Sequence, residues 1–183
     1  MNNHYIKIDN DNNVIEAFSD AFKKPDQDSI LIFENAGRHC KMKLFTYIKP
    51  DLFVYNYYYQ NEKLIKKDYQ EIQAEIDALL NTTTMKKEKL DQIRVNLLNA
   101  STWINSVWTA QEYGHSKGIN LKDRLITEQL YDDWVIWFEK MSFLSQDIDL
   151  KNYTYDEIDI NNTNIFPVMP DFPGDFLRII LNK

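Results

Sequence analysis

The chain is poor in the residues that staple, punctuate or break a fold. Its 183 residues include one cysteine, four glycines and five prolines. A single cysteine, Cys40, excludes an internal disulfide and fits a reducing compartment. No Gly-rich phosphate loop, Ser nucleophile elbow or His-Glu-x-x-His occurs. His4, His39, Cys40 and His115 do not stand at metal-ligand spacing, and adjacent His39 and Cys40 would point to opposite faces of a strand. Asp132 and Asp133 are neighbours that splay apart on a helix, so they make no acid/base pair. No apolar run approaches the roughly 18 residues that a membrane span needs, and the opening Met1 to Asp9 lacks a cationic-then-apolar signal pattern. Basic excess is missing too: the net charge of -7 argues against a phosphate-binding surface. These absences predict a protein of the cytoplasm, or of something assembled there, with no enzymatic activity, cofactor, metal, nucleic-acid partner or membrane.

What the chain does hold is aromatic surface, 14% of residues with eleven tyrosines. Such side chains carry large contact areas and are enriched at interfaces. Residues 4–8 alternate as a strand, and the turn formers of Asp9 to Asn13 lead to a return strand at Val14–Phe18. A polar loop with Pro25 follows, then a short apolar strand at Ile30–Phe33. His39 to Ile48 alternates loosely. Leu52 to Tyr59 alternates more clearly and puts Phe53, Tyr55, Tyr57 and Tyr59 on one face. Gln60 to Lys63 reads as a hairpin turn before Leu64-Ile65. Residues 1–66 are therefore expected to form an antiparallel β-meander. The tyrosine face is read as packing surface, with a binding stripe as the alternative.

Asp68 changes the period, as an N-cap before Tyr69-Gln70-Glu71. Tyr69, Ile72, Ile76 and Leu79 follow at helical spacing, and Leu90, Ile93, Leu97, Ala100, Ile104 and Val107 resume it. Between them Asn81-Thr82-Thr83-Thr84 are four weak helix formers at about 0.5 kcal/mol each. They favour two helices joined by a linker, the first helix and that linker together spanning 67–84, over one long helix. The heptad from 69 to 107 would either pack within one chain or support a homodimer. Lys86-Lys87-Glu88-Lys89 reads as a solvated basic face rather than a nucleic-acid contact.

All four tryptophans lie between Met85 and Leu144, a stretch read as a coiled-coil-like helical hairpin. Gly114 is placed to stop its first helix, and Leu121 or Lys122 to begin its second. Ile126, Leu130, Trp134, Trp137, Met141 and Leu144 form one stripe; Tyr131, Val135 and Phe138 form another. A helix apolar on two sides must be covered on two sides. The sibling helix is expected to take the first stripe, leaving the second for a partner. Trp134 and Trp137 themselves read as core or as partner surface. Gln146 to Asn164 is acidic and Asn-rich and reads as irregular, ahead of Phe166-Pro167-Val168-Met169-Pro170 and a closing apolar run at 176–181. The whole is an α+β chain: a β domain over 1–66, a helix and linker over 67–84, and a hairpin domain with its tail over 85–183.

Trp134, the hairpin and the Phe166–Pro170 spacing resemble phage tail fibre assembly proteins. The family's ending carries Trp, three residues to Tyr, then Arg, and later Trp-Pro-x-x-Pro. Here Trp137 stands in the Tyr place, Phe138 in the Arg place and Phe166 for the second Trp; the loss of Arg puts a polar role there in doubt. The tail after Pro170 is also longer than the family's. Tyr5–Asp9 and Val14–Phe22, with Tyr69 to Ile76 after them, resemble the opening of small phage tail and fibre-associated proteins. The resemblance implies a chaperone that binds the tail fibre, near its C-terminal region, and assists its trimerisation in the host cytoplasm. Tyr131, Trp134, Val135, Trp137, Phe138, Phe166, Pro167 and Pro170 would make the contact. The alternatives are a structural tail, baseplate or fibre-tip component of the particle, and an acidic inhibitor of a host defence protein.

Overall fold

A computed structural model describes residues 1–118 and 126–172, and they form an N-terminal set of antiparallel strands followed by helices. Two compact units divide the chain, Met1–Leu80 and Asn81–Lys183. The division falls inside the stretch expected to be a linker, and the first helix belongs with the strands.

In the first unit, β1 (Asn2–Ile8), β2 (Val14–Ser19) and β3 (Ile30–Ala36) form one sheet in the order β2-β1-β3. A meander would put β2 in the centre. Instead β1 is central, pairing Ile6 with Ala17 on one side and with Ile30 on the other, and Ile6 is fully buried. The β1–β2 turn is built on Asp9, whose carboxylate accepts from the backbone N–H of Asp11 and Asn13 and from the Asn13 amide. Asn12 there takes φ 63°, a left-handed conformation that Asn tolerates.

Two hairpins follow, β4 (Phe45–Lys49) with β5 (Leu52–Tyr55) and β6 (Tyr57–Gln60) with β7 (Lys63–Lys66). The single strand expected over 52–59 is thus broken, and Asn56 breaks it. Asn56 is buried, its Nδ2 donates to Lys43 O (2.9 Å), and its Oδ1 accepts from the Thr46 hydroxyl (2.8 Å). Its backbone N–H donates to Leu44 O while its carbonyl accepts from Lys67 N–H. A buried amide so fully bonded holds both hairpins at one point. The four aromatics consequently do not share one face as expected. Phe53 and Tyr55 cluster with Phe45 and Tyr47 across β4–β5, at ring distances of 4.7–6.1 Å, while Tyr57 and Tyr59 lie on β6. Asn61 and Glu62, both at positive φ, make the two-residue turn of β6–β7, whose twist matches its strands.

Helix α1 (Tyr69–Leu80) opens on a reciprocal cap: Asp68 accepts from Glu71 N–H and Glu71 accepts from Asp68 N–H, each at 2.8 Å. It contacts β5, and the largely covered Lys67 side chain pairs with Glu75 of the helix (2.6 Å).

The second unit holds α2 (Thr83–Ser101), α3 (Trp103–Ser116) and α4 (Glu128–Asp147). Thr82 caps α2, accepting from Met85 N–H. Ser101 and Thr102 each turn a hydroxyl back onto a carbonyl three residues earlier, Leu98 and Asn99, and the helix breaks there. Gly114 does not stop α3; it is buried inside it. The end lies at Lys117 and Gly118, where Gly118 takes φ 72° and donates to His115 O. Thr127 caps α4 at Glu128, and the expected start at Leu121 or Lys122 lies outside the described residues. So does the apolar run at 176–181.

The hairpin is antiparallel. Gln111 meets Ile126, Asn105 meets Tyr131, and Arg94 reaches the Ser142 carbonyl. Leu90, Leu97 and Ile104, one heptad apart, are buried against α4. The chain from Ile148 to Phe172 then retraces the helices as an irregular strap and buries Leu150, Ile158, Ile165, Phe166 and Phe172 in the same core. Lys86 and Lys89 fasten the strap, donating to the carbonyls of Leu150 (3.4 Å) and Tyr155 (2.8 Å), with Lys89 also over the Tyr155 ring. The basic run at the start of α2 is therefore partly spent on this internal contact. The heptad residues from Leu90 to Val107 are likewise occupied within one chain, so that part of the seam is not free for a second copy.

Candidate functional site

The strap decides where each expected contact residue lies. Trp134, Trp137 and Phe166 are interior, with 6%, 3% and 2% of their surface exposed. They belong to the core, and Trp137 and Phe166 reach the surface only as edges of the hollows beside the strap. The first stripe of α4 packs on the sibling helices as expected, in one core with Leu90, Leu97 and Ile104, but the second is largely covered as well. Tyr131, from the stripe thought surplus, stacks on Trp108 of α3 (4.5 Å, 9°) and donates its hydroxyl to Asn105 (2.9 Å). Phe138 is half-buried beside Trp134. Of the surplus stripe only Val135 is left exposed. Trp137, from the stripe assigned to the sibling helix, also meets the strap: its indole N–H donates to Pro167 O (2.9 Å). An acidic, Asn-rich stretch carries no periodicity that announces it as a covering layer, which is why the sequence alone suggests a partner there.

A cleft opens where the strap crosses α4. Asp133, Ile136, Trp137 and Lys140 form the helix wall, and Pro167, Val168, Met169, Pro170 and Asp171 the strap wall, around a volume of about 440 Å³. Ile136 is 52% exposed and Val168 75%, so both walls offer apolar surface. Behind the strap a second hollow of about 570 Å³ reaches Leu97, Ile160 and Phe166. Ile136 and Val168 escape a sequence reading because they fall off both stripes. That position is itself the signal, since an apolar residue there has no neighbour in its own helix pair to cover it.

Elsewhere the chemistry is quiet. His4 Nε2 donates to Gly37 O (2.6 Å), and burial pushes the Cys40 thiol up. Among the described residues no group of three or more His, Cys, Asp or Glu could hold a metal ion, and no helix is long and apolar enough to cross a membrane. Glu157 and Asp159 are held below the usual carboxylate range by hydrogen bonds from Thr154 and Asn161, which keeps the strap's acidic turns ionised.

No family model, curated protein or solved structure matches the chain. Its class rests on the fold alone: an α+β protein with a strand unit, and a helical hairpin whose core is closed by its own C-terminal strap.

Proposed function

We propose that this chain is an assembly chaperone for a phage tail fibre, binding the fibre through the cleft between α4 and the strap and catalysing nothing. The observation that carries the reading is the placement of Phe166-Pro167-Val168-Met169-Pro170, whose spacing resembles the family's Trp-Pro-x-x-Pro. Phe166 and the Trp137–Pro167 bond anchor it, and Val168 stands out to solvent opposite Ile136. An apolar surface on an acidic protein suits a helper that shields a fibre's unpaired patches until it trimerises. In this reading Ile136, Val168, Pro167 and Pro170 make the contact, with Val135 beside them. Trp134, Trp137 and Phe166 hold the contact surface in place.

Co-expression with the large fibre protein encoded in the same genome tests this. The yield of soluble fibre trimer should rise with the chain present, and Val168→Asp should abolish the rise while leaving the thermal midpoint of the chain unchanged. Equal trimer yield with and without the chain contradicts the reading.

A second reading, a component that stays on the particle, is favoured by β3. This edge strand exposes Leu31 (41%) and Phe33 (53%), and a sheet edge of that kind is a ready docking surface. Stoichiometric presence of the chain in purified particles supports it; absence supports the chaperone.

A further inference from the structure

Charge is unevenly distributed along the described part of the second unit. From Thr83 to Gly118 the chain carries five lysines and arginines against three carboxylates; from Ile126 to Phe172 it carries ten carboxylates against two lysines. All ten of those carboxylates are exposed. Both walls of the cleft come from the acidic segment, with Asp133 on the helix wall and Asp171 on the strap wall. Lys140 is the one cation lining it among the described residues. Ile136 and Phe143 (50% exposed) continue along the same face of α4, seven residues apart, with Asp132 and Glu139 flanking them. The apolar surface is thus framed by negative charge over two helical turns.

We infer that the cleft accepts a cationic peptide segment: an apolar anchor seated between Ile136 and Val168, flanked by lysine or arginine directed at Asp133 and Asp171. Apolar walls supply affinity without choosing among apolar segments, whereas the carboxylate frame rejects acidic ones and steers basic ones. On this inference the fibre region held by the chaperone is basic as well as apolar. It rests on the proposed function only for the identity of the partner, since the charge and shape belong to the cleft itself.

The test uses two short synthetic peptides of the same apolar order, free of tryptophan, one with lysines and one with glutamates at the flanking positions. They are titrated into the full chain and followed by its tryptophan fluorescence and by calorimetry. Two attractive exposed pairs against two repulsive ones predict a preference of about tenfold for the lysine peptide at low salt, shrinking as salt is added. The double variant Asp133→Lys, Asp171→Lys alters only exposed residues, and the preference should reverse in it. Equal affinity for the two peptides, binding of neither, or a preference that survives the reversal overturns the inference. The fibre co-expression separates this from the functional reading. If trimer yield rises while no peptide preference is seen, the chaperone stands and the charge inference falls. If the lysine peptide is preferred but the fibre is unaffected, the charge inference stands and the chaperone falls.

Discussion

The two units bury their apolar residues by different means. In the strand unit the buried apolar side chains are Ile6, Val14, Phe18 and Val54, and much of its aromatic surface is spent side by side on a hairpin face. Its order comes from ladders, the Asp9 turn and the Asn56 node, all hydrogen-bonded structures. The helical unit instead runs one apolar core from Leu90 through Trp137 to Phe172, closed on one side by a segment with almost no regular structure. Regularity and burial are therefore separate quantities. Hydrophobic coverage is non-directional, so an irregular strap can complete a core as well as a helix can.

That contrast makes truncations in the helical unit the costly ones. Trp137→Ala should lower the stability of the helical unit by about 3–5 kcal/mol, read from urea unfolding by circular dichroism. Next comes Gln111, a buried amide that donates to Ile126 O (2.9 Å) and accepts from Ile126 N–H (3.0 Å). Gln111→Ala strands both backbone groups and should cost about 1–3 kcal/mol by the same measurement. Within the tryptophans the comparison sharpens further. The buried Trp134 indole N–H has no hydrogen-bond partner among the described residues, whereas that of Trp137 bonds Pro167. Trp137→Phe is therefore expected to cost about 1 kcal/mol more than Trp134→Phe.

The strand unit should respond weakly to comparable truncation. Tyr47 is 61% exposed at the rim of the aromatic cluster, and Tyr47→Ala should cost less than about 1 kcal/mol. A loss as large as that of Trp137 would break the comparison. The smallest effect concerns pH. Hydrogen bonds from Lys7 and then Ser29 hold the Asp26 carboxyl down to about 2. Because its folded value lies below its unfolded one, the stability it adds is present above about pH 4 and fades as pH falls through about 2. Asp26 is exposed and Lys7 only half-buried, so solvent screens the pair and the change should be slight. An NMR titration of the Asp26 carboxyl should place its midpoint clearly lower in the native chain than in Lys7→Met.

Much of this fold is legible in local chemistry. Asp68 and Glu71 announce a cap, Asn61-Glu62 a tight turn, and the spacing of Leu90, Leu97 and Ile104 a buried seam, because each signal acts over a few residues. What lies further apart in sequence is not legible. The central position of β1 depends on where β3 docks, and no pattern in Ile30 to Phe33 states it. Asn56 looks like an ordinary outward residue in an alternating strand until Lys43 and Thr46 arrive beside it. Gly114 and Gly118 offer the same stop signal, and only the burial of Gly114 inside α3 and the left-handed turn at Gly118 show which one is used. The candidate site suffers most from this. Trp134, Trp137 and Phe166 do belong together, yet as interior residues, and the surface they support carries the less conspicuous Ile136 and Val168.

In the proposed chaperone the strap turns the tryptophans into core and leaves the cleft as the contact surface. Measuring the urea stability and fibre capture of Trp137→Ala beside those of Val168→Asp tests this most directly. Trp137→Ala is expected to lose stability, and to capture fibre normally in whatever fraction stays folded with the strap in place. Val168→Asp should keep its stability and lose capture. The opposite pattern, a stable Trp137→Ala that no longer captures fibre beside a fully competent Val168→Asp, would contradict it.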